Sequence, residues 1–450
     1  MFLSSRFLVF VILSCFMMLA TAEKVKVFAG YNVNIDAKLF IRSAEDYEMV
    51  MDLLMKESEE LARTFENYVE KSSACEKLVS SKLVDDMLAS FEDPEYVLGG
   101  QEGFFFQNLV NTFSKQVVPV LHLPSRAPFF LEFMKKIMPE ALVFEKNEAS
   151  EPILLALSSV EPNPAQSAPI HIVAEYPTGL TVKSRFGEGE ITTSRANRFI
   201  FTYDPINSSL ILDEFFTSGY KTLIDKTWMV LLSGYHLLTG DILTDEFKDK
   251  HTTIMKDLAA QSGWVHFELA FTSDDVVREF ILKSILPFAQ SVGLNEVELV
   301  MFAKATMGDS SEFDSMPFPT LMAKWHHAMG LNSTILFHTI GCYMSLAPKD
   351  VKVAFKPQHV MDGFKKAENV LISTRKPADG KFEIAHKTFE FNEKTLDDFI
   401  KKGCSEREYE SVMYHVGMMS RISSTVGLGD TISSSIVVQL VLASLEKEDL

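Results

Sequence analysis

The most chemically suggestive stretch of the chain is Val426-Gly427-Leu428-Gly429-Asp430-Thr431-Ile432-Ser433, where a loop reads into the last helix. Glycines leave backbone N–H groups unobstructed, and a helix start adds positive partial charge, so a phosphate gathering charge could be held there. Gly427 and Gly429 would open that cradle, and Asp430 could orient an attacking hydroxyl and take its proton. A carboxylate of pKa ~3.9 is a weak base. It suffices where the transition state is loose, because the proton then leaves late. The same spacing also fits an ordinary aspartate N-cap after a glycine turn.

Two acidic motifs lie upstream. His266-Phe267-Glu268 follows the apolar start of a strand, so His266 and Glu268 share one face. Asn295-Glu296-Val297-Glu298 leads into a further apolar run at 298–304, read as the next strand. Carboxylates at strand C-termini stand where α/β proteins bind ligands, and hard oxygen groups suit a magnesium ion (Mg2+) that keeps several waters. Glu296 and Glu298 equally fit a charged first helical turn, and His266 a satisfied core histidine. Asn34 and Asp36 alternate on one face just past the first strand. With Gly99-Gly100-Gln101 and His171 they could meet the dense hydrogen bonding of sugar hydroxyls, or form an Asx turn, a plain glycine turn and a surface histidine.

The elements that must position these groups alternate in an α/β manner. Residues 25–28, 117–123, 153–158 and 228–232 are apolar runs expected of strands covered on both faces. Residues 46–68 carry a helical period with Met49, Leu53, Leu54, Leu61 and Phe65 on one side. Shorter strands at 170–176, 180–186 and 199–203, with turns between, predict a small antiparallel piece laid over the core. Strand-helix alternation then resumes through 264–271 and 335–342, and the last helix opens after Gly429-Asp430.

Bulk properties narrow the class. At 450 residues, 47% hydrophobic and 23% charged, the chain is globular and larger than one ordinary core. A net charge of -18 argues against nucleic-acid binding, which needs clustered Lys and Arg. Arg6, the apolar stretch 7–19 and Ala20-Thr21-Ala22 read as a signal peptide over 1–22. That stretch falls short of the roughly 20 residues that span a bilayer, so no stable membrane span is expected. Asn207-Ser208-Ser209 and Asn332-Ser333-Thr334 are glycosylation sequons, and Lys447-Glu448-Asp449-Leu450 nearly matches a reticulum-retrieval signal. The expected location is the endoplasmic-reticulum lumen or the exterior. Once Cys15 leaves with the leader, Cys75, Cys342 and Cys404 remain, too few for a disulfide framework.

Taken in order, these motifs resemble the ADP-dependent glucokinases, relatives of the ribokinase-like kinases. The matches are Gly30-Tyr31-Asn32-Val33-Asn34-Ile35-Asp36-Ala37, Gly99-Gly100-Gln101, residues 171–176, Ala196-Asn197-Arg198-Phe199-Ile200-Phe201, Leu231-Leu232-Ser233-Gly234, His266-Phe267-Glu268, Gly293-Leu294-Asn295-Glu296-Val297-Glu298, Phe337-His338-Thr339 and residues 426–433. The resemblance implies a doubly wound ribokinase-like α/β core over 23–450, with a smaller α+β lid built from about 32–110 and 165–205. It implies Asp430 as catalytic base and Gly427 to Gly429 as oxyanion hole. Glu268 and Glu298, with Asp430 beside them, would hold Mg2+ largely through water. Asn34, Asp36, Gly99, Gly100, Gln101 and His171 fall on sugar-contacting positions. Arg198 would reach the phosphates on lid closure, and Leu428 and His338 would border the nucleotide. The implied substrates are ADP and D-glucose, and a monomer is expected. ADP as donor comes from the resemblance alone. Glucose-specific members carry a glutamate after the first long helix, for which Glu59 and Glu60 both offer. A phosphofructokinase of the same family, or a luminal binding protein without the chemistry, are the competing expectations.

Overall fold

The computed structural model describes residues 24–339, 341–351, 355–374, 384–385, 393–416, 418–419 and 428–445. The leader at 1–22, Gly427 and the terminal Lys447-Glu448-Asp449-Leu450 lie outside the described residues.

The chain builds its two large sheets by leaving the core twice. It starts in the core with β1 (Val25–Gly30) and crosses to a second sheet with β2 (Asn34–Phe40), β3 (Cys75–Leu78) and β4 (Glu95–Gly99). It returns through β5 (Val117–Leu121), β6 (Leu142–Lys146) and β7 (Pro152–Ala156). It leaves again for β8 (Ile170–Tyr176), the hairpin of β9 (Thr181–Lys183) and β10 (Glu190–Thr192), and β11 (Asn197–Tyr203). The core is completed by β12 (Trp228–Leu232), β13 (Trp264–Glu268), β14 (Ser291–Leu294), β15 (Thr334–Thr339), β16 (Cys342–Pro348) and β17 (Tyr409–His415).

The core sheet has ten strands in the order β17-β16-β15-β14-β13-β12-β1-β5-β6-β7. Every pairing from β15 across to β6 is parallel, and only the two margins are antiparallel. Strands such as Trp228–Leu232 are buried along their whole length, as a parallel sheet covered on both faces requires. Strand order runs one way from β1 through β5 and the other way through β12, so the switch point lies between β1 and β12. A crevice at the C-terminal ends of those two strands is where a doubly wound sheet receives its ligand.

The second sheet, the lid, runs β3-β11-β8-β2-β4. It is mixed rather than purely antiparallel, because β2 pairs parallel to β8 and β3 parallel to β11. Period-two alternation divides its faces. Ala37, Leu39, Ile172, Ala174, Tyr176, Phe199 and Phe201 bury against Tyr47, Val50, Phe65 and Met87 of the lid helices. The opposite face carries Asp36, Lys38, His171, Glu175, Arg198 and Thr202, which register places side by side. The helix Gly100–Phe113 packs with the core, through Phe105, Phe106 and Leu109.

Several expectations are corrected. The helix expected over 46–68 is two, Ala44–Glu57 and Glu59–Glu70, because Ser58 is extended (φ -165°) and its hydroxyl caps the second through Leu61 N–H. The run 298–304 is the helix Glu296–Met307, started by Asn295, whose side chain accepts from Val297 and Glu298 N–H. That reciprocal cap decides helix over strand. The strand expected over 335–342 divides into β15 and the antiparallel β16. Cys75, Cys342 and Cys404 are all free, and no helix among the described residues is long and apolar enough to cross a membrane.

Candidate active site

The C-terminal helix Leu428–Leu445 carries Asp430 in its first turn and packs near β13 and β15. Asp430 is half-buried. Burial pushes its carboxyl up to about 6, opposed by a hydrogen bond from the Gln101 side chain. Gln101 Oε1 accepts from Gly234 N–H at 3.3 Å, which leaves its amide N–H groups for Asp430. One side chain thus ties the end of β12, the start of the Gly100–Phe113 helix and Asp430 together. Gly427 lies outside the described residues, and Leu428 opens the helix. Gly429 is required by space: a Cβ there would come 2.8 Å from His338 Nε2.

The acidic motifs converge on the same point. Glu268, at the C-terminal end of β13, is held well above the usual carboxylate range by burial and then by the charges of Asp430 and Glu298. Glu298 is pushed up to about 8 by burial, with Asp430 also raising it and Asn295 N–H lowering it. Both Glu298 oxygens are engaged by Asn295, its N–H at 2.8 Å and its side-chain amide at 2.9 Å. A relay fixes Glu268: the Trp264 indole N–H donates to Ser291 Oγ at 2.9 Å, and Ser291 Oγ lies 2.9 Å from His266 Nδ1. The two ring nitrogens of His266 are thus both engaged, Nδ1 with Ser291 Oγ and Nε2 with Glu268 Oε2 at 3.1 Å. His338 stands 3.8 Å from Glu268 Oε1 and 3.3 Å from Ser433 Oγ. Burial depresses both histidines, His266 to about 3 and His338 to about 4, so both are neutral.

Asp430 raises both Glu268 and Glu298, and Glu298 raises Glu268, so a cation here would relieve them. Among the described residues, no three His, Cys, Asp or Glu groups stand close enough to ligate one ion directly. The carboxylate oxygens of Glu268 and Glu298 are hard donors of the kind a hydrated divalent ion meets through its waters.

The sugar-contact candidates assemble on the facing side. Asn34 Nδ2 donates to Asp36 Oδ1 at 2.6 Å, while Asn34 Oδ1 is buried with no hydrogen-bond partner among the described residues. Gly99 lies opposite Asn34 in the β2–β4 register, and a Cβ there would overlap Asp36 and Asn34. Gly100 has φ +75°, with a Cβ position blocked by Asn32 O, so only glycine makes this turn. His171 Nε2 meets Asp204 Oδ2 at 3.1 Å, and its Nδ1 is 4.0 Å from Asp36 Oδ1. Burial pulls His171 down, yet Asp204 and then Asp36 outweigh it and raise its pKa. Burial raises Asp36, and His171 and Asn34 pull it back. Arg198 lies on this lid face opposite Glu175, lowered by burial and raised by Glu175, Asp36 and Glu76.

Two residues were missed by sequence reasoning. Asp204 reads as the N-cap of the short helix Pro205–Ser208, which it is, but its second oxygen holds His171. The acid facing this cluster is neither Glu59, exposed and paired with Arg63 on the outer helix, nor Glu60, also exposed there. It is Glu76 on β3, which accepts from Thr202 Oγ1 at 2.8 Å and acts on Asp36, His171, Arg198 and His236. Strand register, not sequence spacing, brings it there.

Comparison with known proteins bears on this geometry. A family model described as the ADP-specific phosphofructokinase/glucokinase conserved region matches residues 25–439. An ADP-dependent glucose/glucosamine kinase of Pyrococcus furiosus is 28% identical over 457 residues, covering 92% of this chain and 94% of its own. An ADP-specific phosphofructokinase of Pyrococcus abyssi is 22% identical over 464 residues, covering 94% of this chain and 99% of its own. The crystal structure of a hypothetical ADP-dependent phosphofructokinase from Pyrococcus horikoshii OT3 superposes with a TM-score of 0.74 at 18% identity, over 94% of this chain and 99% of that one. That likeness shows the core-and-lid fold.

Proposed function

Because the chain belongs to the family of ADP-specific phosphofructokinases and glucokinases, we propose that it moves the β-phosphoryl group of ADP to the 6-hydroxyl of D-glucose, giving glucose-6-phosphate and AMP. The observation that carries this reading is Gln101. Its side chain joins Asp430 to the turn that closes over Asn34 and Asp36, while Glu268 and Glu298 approach Asp430 from the other side.

Asp36, Asn34 and His171 bind the sugar and set its ring so that one hydroxyl reaches Asp430. Asp430 accepts the proton as the hydroxyl attacks, at a pKa of about 6 that suits a base near neutrality. N–H groups at the start of Leu428–Leu445 face the phosphoryl oxygens as charge builds. Glu268 and Glu298 would hold Mg2+ through water, and that ion supplies charge neutralisation at the diphosphate. Closure of the lid face over the cleft excludes water and suppresses hydrolysis of ADP.

Glucose over fructose-6-phosphate is supported by charge. The lid face near the sugar cluster carries Asp36, Glu76, Glu95 and Glu175 against Lys38 and Arg198, and Lys38 is already paired with Glu95 at 3.5 Å. A phosphorylated sugar would meet more repulsion there than a neutral one. The higher identity to a glucose/glucosamine kinase points the same way. Arg198 favours the second reading, phosphofructokinase activity, since an arginine on this face suits a sugar phosphate. One coupled assay with Mg2+, glucose or fructose-6-phosphate, and ADP or ATP decides. A glucose kcat/KM with ADP at least about a hundredfold above fructose-6-phosphate is expected, roughly 2.7 kcal/mol of discrimination. A preference for fructose-6-phosphate would overturn the substrate, and tight sugar binding without AMP release would overturn the enzyme. On the strength of the leader and the terminal tetrapeptide, the reticulum lumen is the proposed location.

A further inference from the structure

The two sequons, left unused by the kinase chemistry, occupy opposite environments. Asn207 is 1% exposed. Its Nδ2 donates to Val33 O at 3.0 Å and to Asp204 Oδ2, and its backbone N–H donates to Asp204 Oδ1 at 2.9 Å. Asp204 in turn holds His171. A group on that amide nitrogen would replace one of its two donated hydrogens and would have to fit into a site that is already buried.

Asn332 is exposed, two residues past Gly330, whose left-handed φ of +61° ends the helix Phe318–Met329. Arg407 clamps this turn: one guanidinium nitrogen donates to Leu331 O and another to Asn332 Oδ1 at 3.0 Å, while Nε meets Asp350 at 2.9 Å. The side-chain oxygen is therefore held by Arg407, while Nδ2 makes no hydrogen bond among the described residues and the residue is exposed. Asn332 also lies before the N-terminal end of β15, whose Thr334 pairs with Ser291 at the start of β14. The candidate site occupies the other, C-terminal edge, at Glu268 and past Leu294. An oligosaccharide on Asn332 would point away from the cleft.

We infer that Asn332 is an N-glycosylation site and that the matching sequon at Asn207 stays unmodified, because the folded chain has room for a glycan at the first and needs the amide of the second. The inference rests on the luminal location proposed above. The donor class is a lipid-diphosphate oligosaccharide. The Asn332 Nδ2–C1 bond forms as the C1–O bond to the diphosphate breaks, the diphosphate leaves with the electron pair, and one amide proton passes to the transferase's base. The amide keeps its other hydrogen, and its oxygen keeps the Arg407 contact. Transfer acts on the chain before it folds, so the burial of Thr334 in the finished sheet is no obstacle; a chain that received a glycan at Asn207 could not close that buried site, and the folded protein is the one that carries none there.

The test expresses the full chain in a eukaryotic cell, isolates microsomes, and reads electrophoretic mobility with and without peptide-N-glycosidase and endoglycosidase H. One glycan is expected, sensitive to both enzymes as for a protein kept in the reticulum. N332Q should remove the shift. S209A, which destroys the other sequon without touching the Asn207 amide, should leave the shift intact even if N207Q fails to fold. Sugar kinase kcat should agree within about twofold before and after deglycosylation, the expectation for a modification remote from the cleft. A protease-protected luminal chain with no glycan overturns the site. A shift lost in S209A and kept in N332Q overturns the choice of sequon, and a chain outside the microsomes overturns the luminal premise. None of these mobility readouts depends on the substrate being glucose.

Discussion

Asp430 shows how much of its role comes from neighbours rather than from its identity. Free in water it would be a weak base, but burial brings it to about 6 while Gln101 keeps it oriented. Asp430→Asn should lower kcat by roughly 10²–10⁴-fold while glucose binding, read by calorimetry, is preserved. Equal rates in mutant and wild type would remove Asp430 from the mechanism. A base must be deprotonated to act, so kcat/KM should climb as pH rises through about 6 and level above it. A profile flat across that midpoint would assign the proton to another group. Type and spacing made Asp430, Glu268 and Glu298 visible in the sequence. Glu76 and Asp204 were invisible there, because each reads locally as something ordinary.

At the scale of elements, the site depends on two helices whose first turns share the cleft. Asn108 pins them: its Nδ2 lies 2.8 Å from both Ser434 Oγ and Ser435 Oγ, in a contact that also draws in Thr431 O at 3.4 Å. Around this polar bolt, Phe105, Phe106 and Leu109 pack with Ile436, Val437 and Leu440. Asn108→Ala should cost about 1–3 kcal/mol in chemical denaturation and lower kcat, since the Gln101–Asp430 alignment runs through the same pair. An unchanged unfolding midpoint would mean that apolar packing alone holds the helices. Core strands such as β1, β5 and β12 were legible from apolar runs, and the lid strands β8 and β11 from their short runs between turns. Helix Glu296–Met307 was not, because Leu299 to Ala303 is a continuous apolar run and only the Asn295 cap settles its type.

At the scale of the whole molecule, the carboxyl cluster makes stability depend on pH and on cations. Asp430 at about 6 and Glu298 at about 8 bind protons more tightly when folded than at their ordinary values near 4. Their contribution is therefore full below about pH 4 and is lost as pH rises through about 6 and then about 8. The Tm of metal-free protein should fall across that range, and Mg2+ should restore more of it at the alkaline end than at the acid end. A magnesium effect independent of pH would place the ion elsewhere. The sequence by itself determined part of the strand set, the glycine turn, the chemical types and the family likeness, because those follow from local periodicity and residue identity. Only the tertiary structure decided which acid faces the sugar cluster, which sequon keeps a free amide, and that Gln101 links the two halves of the cleft. Those are matters of strand register and crossover between layers, and no local interaction encodes which distant residue a side chain will meet.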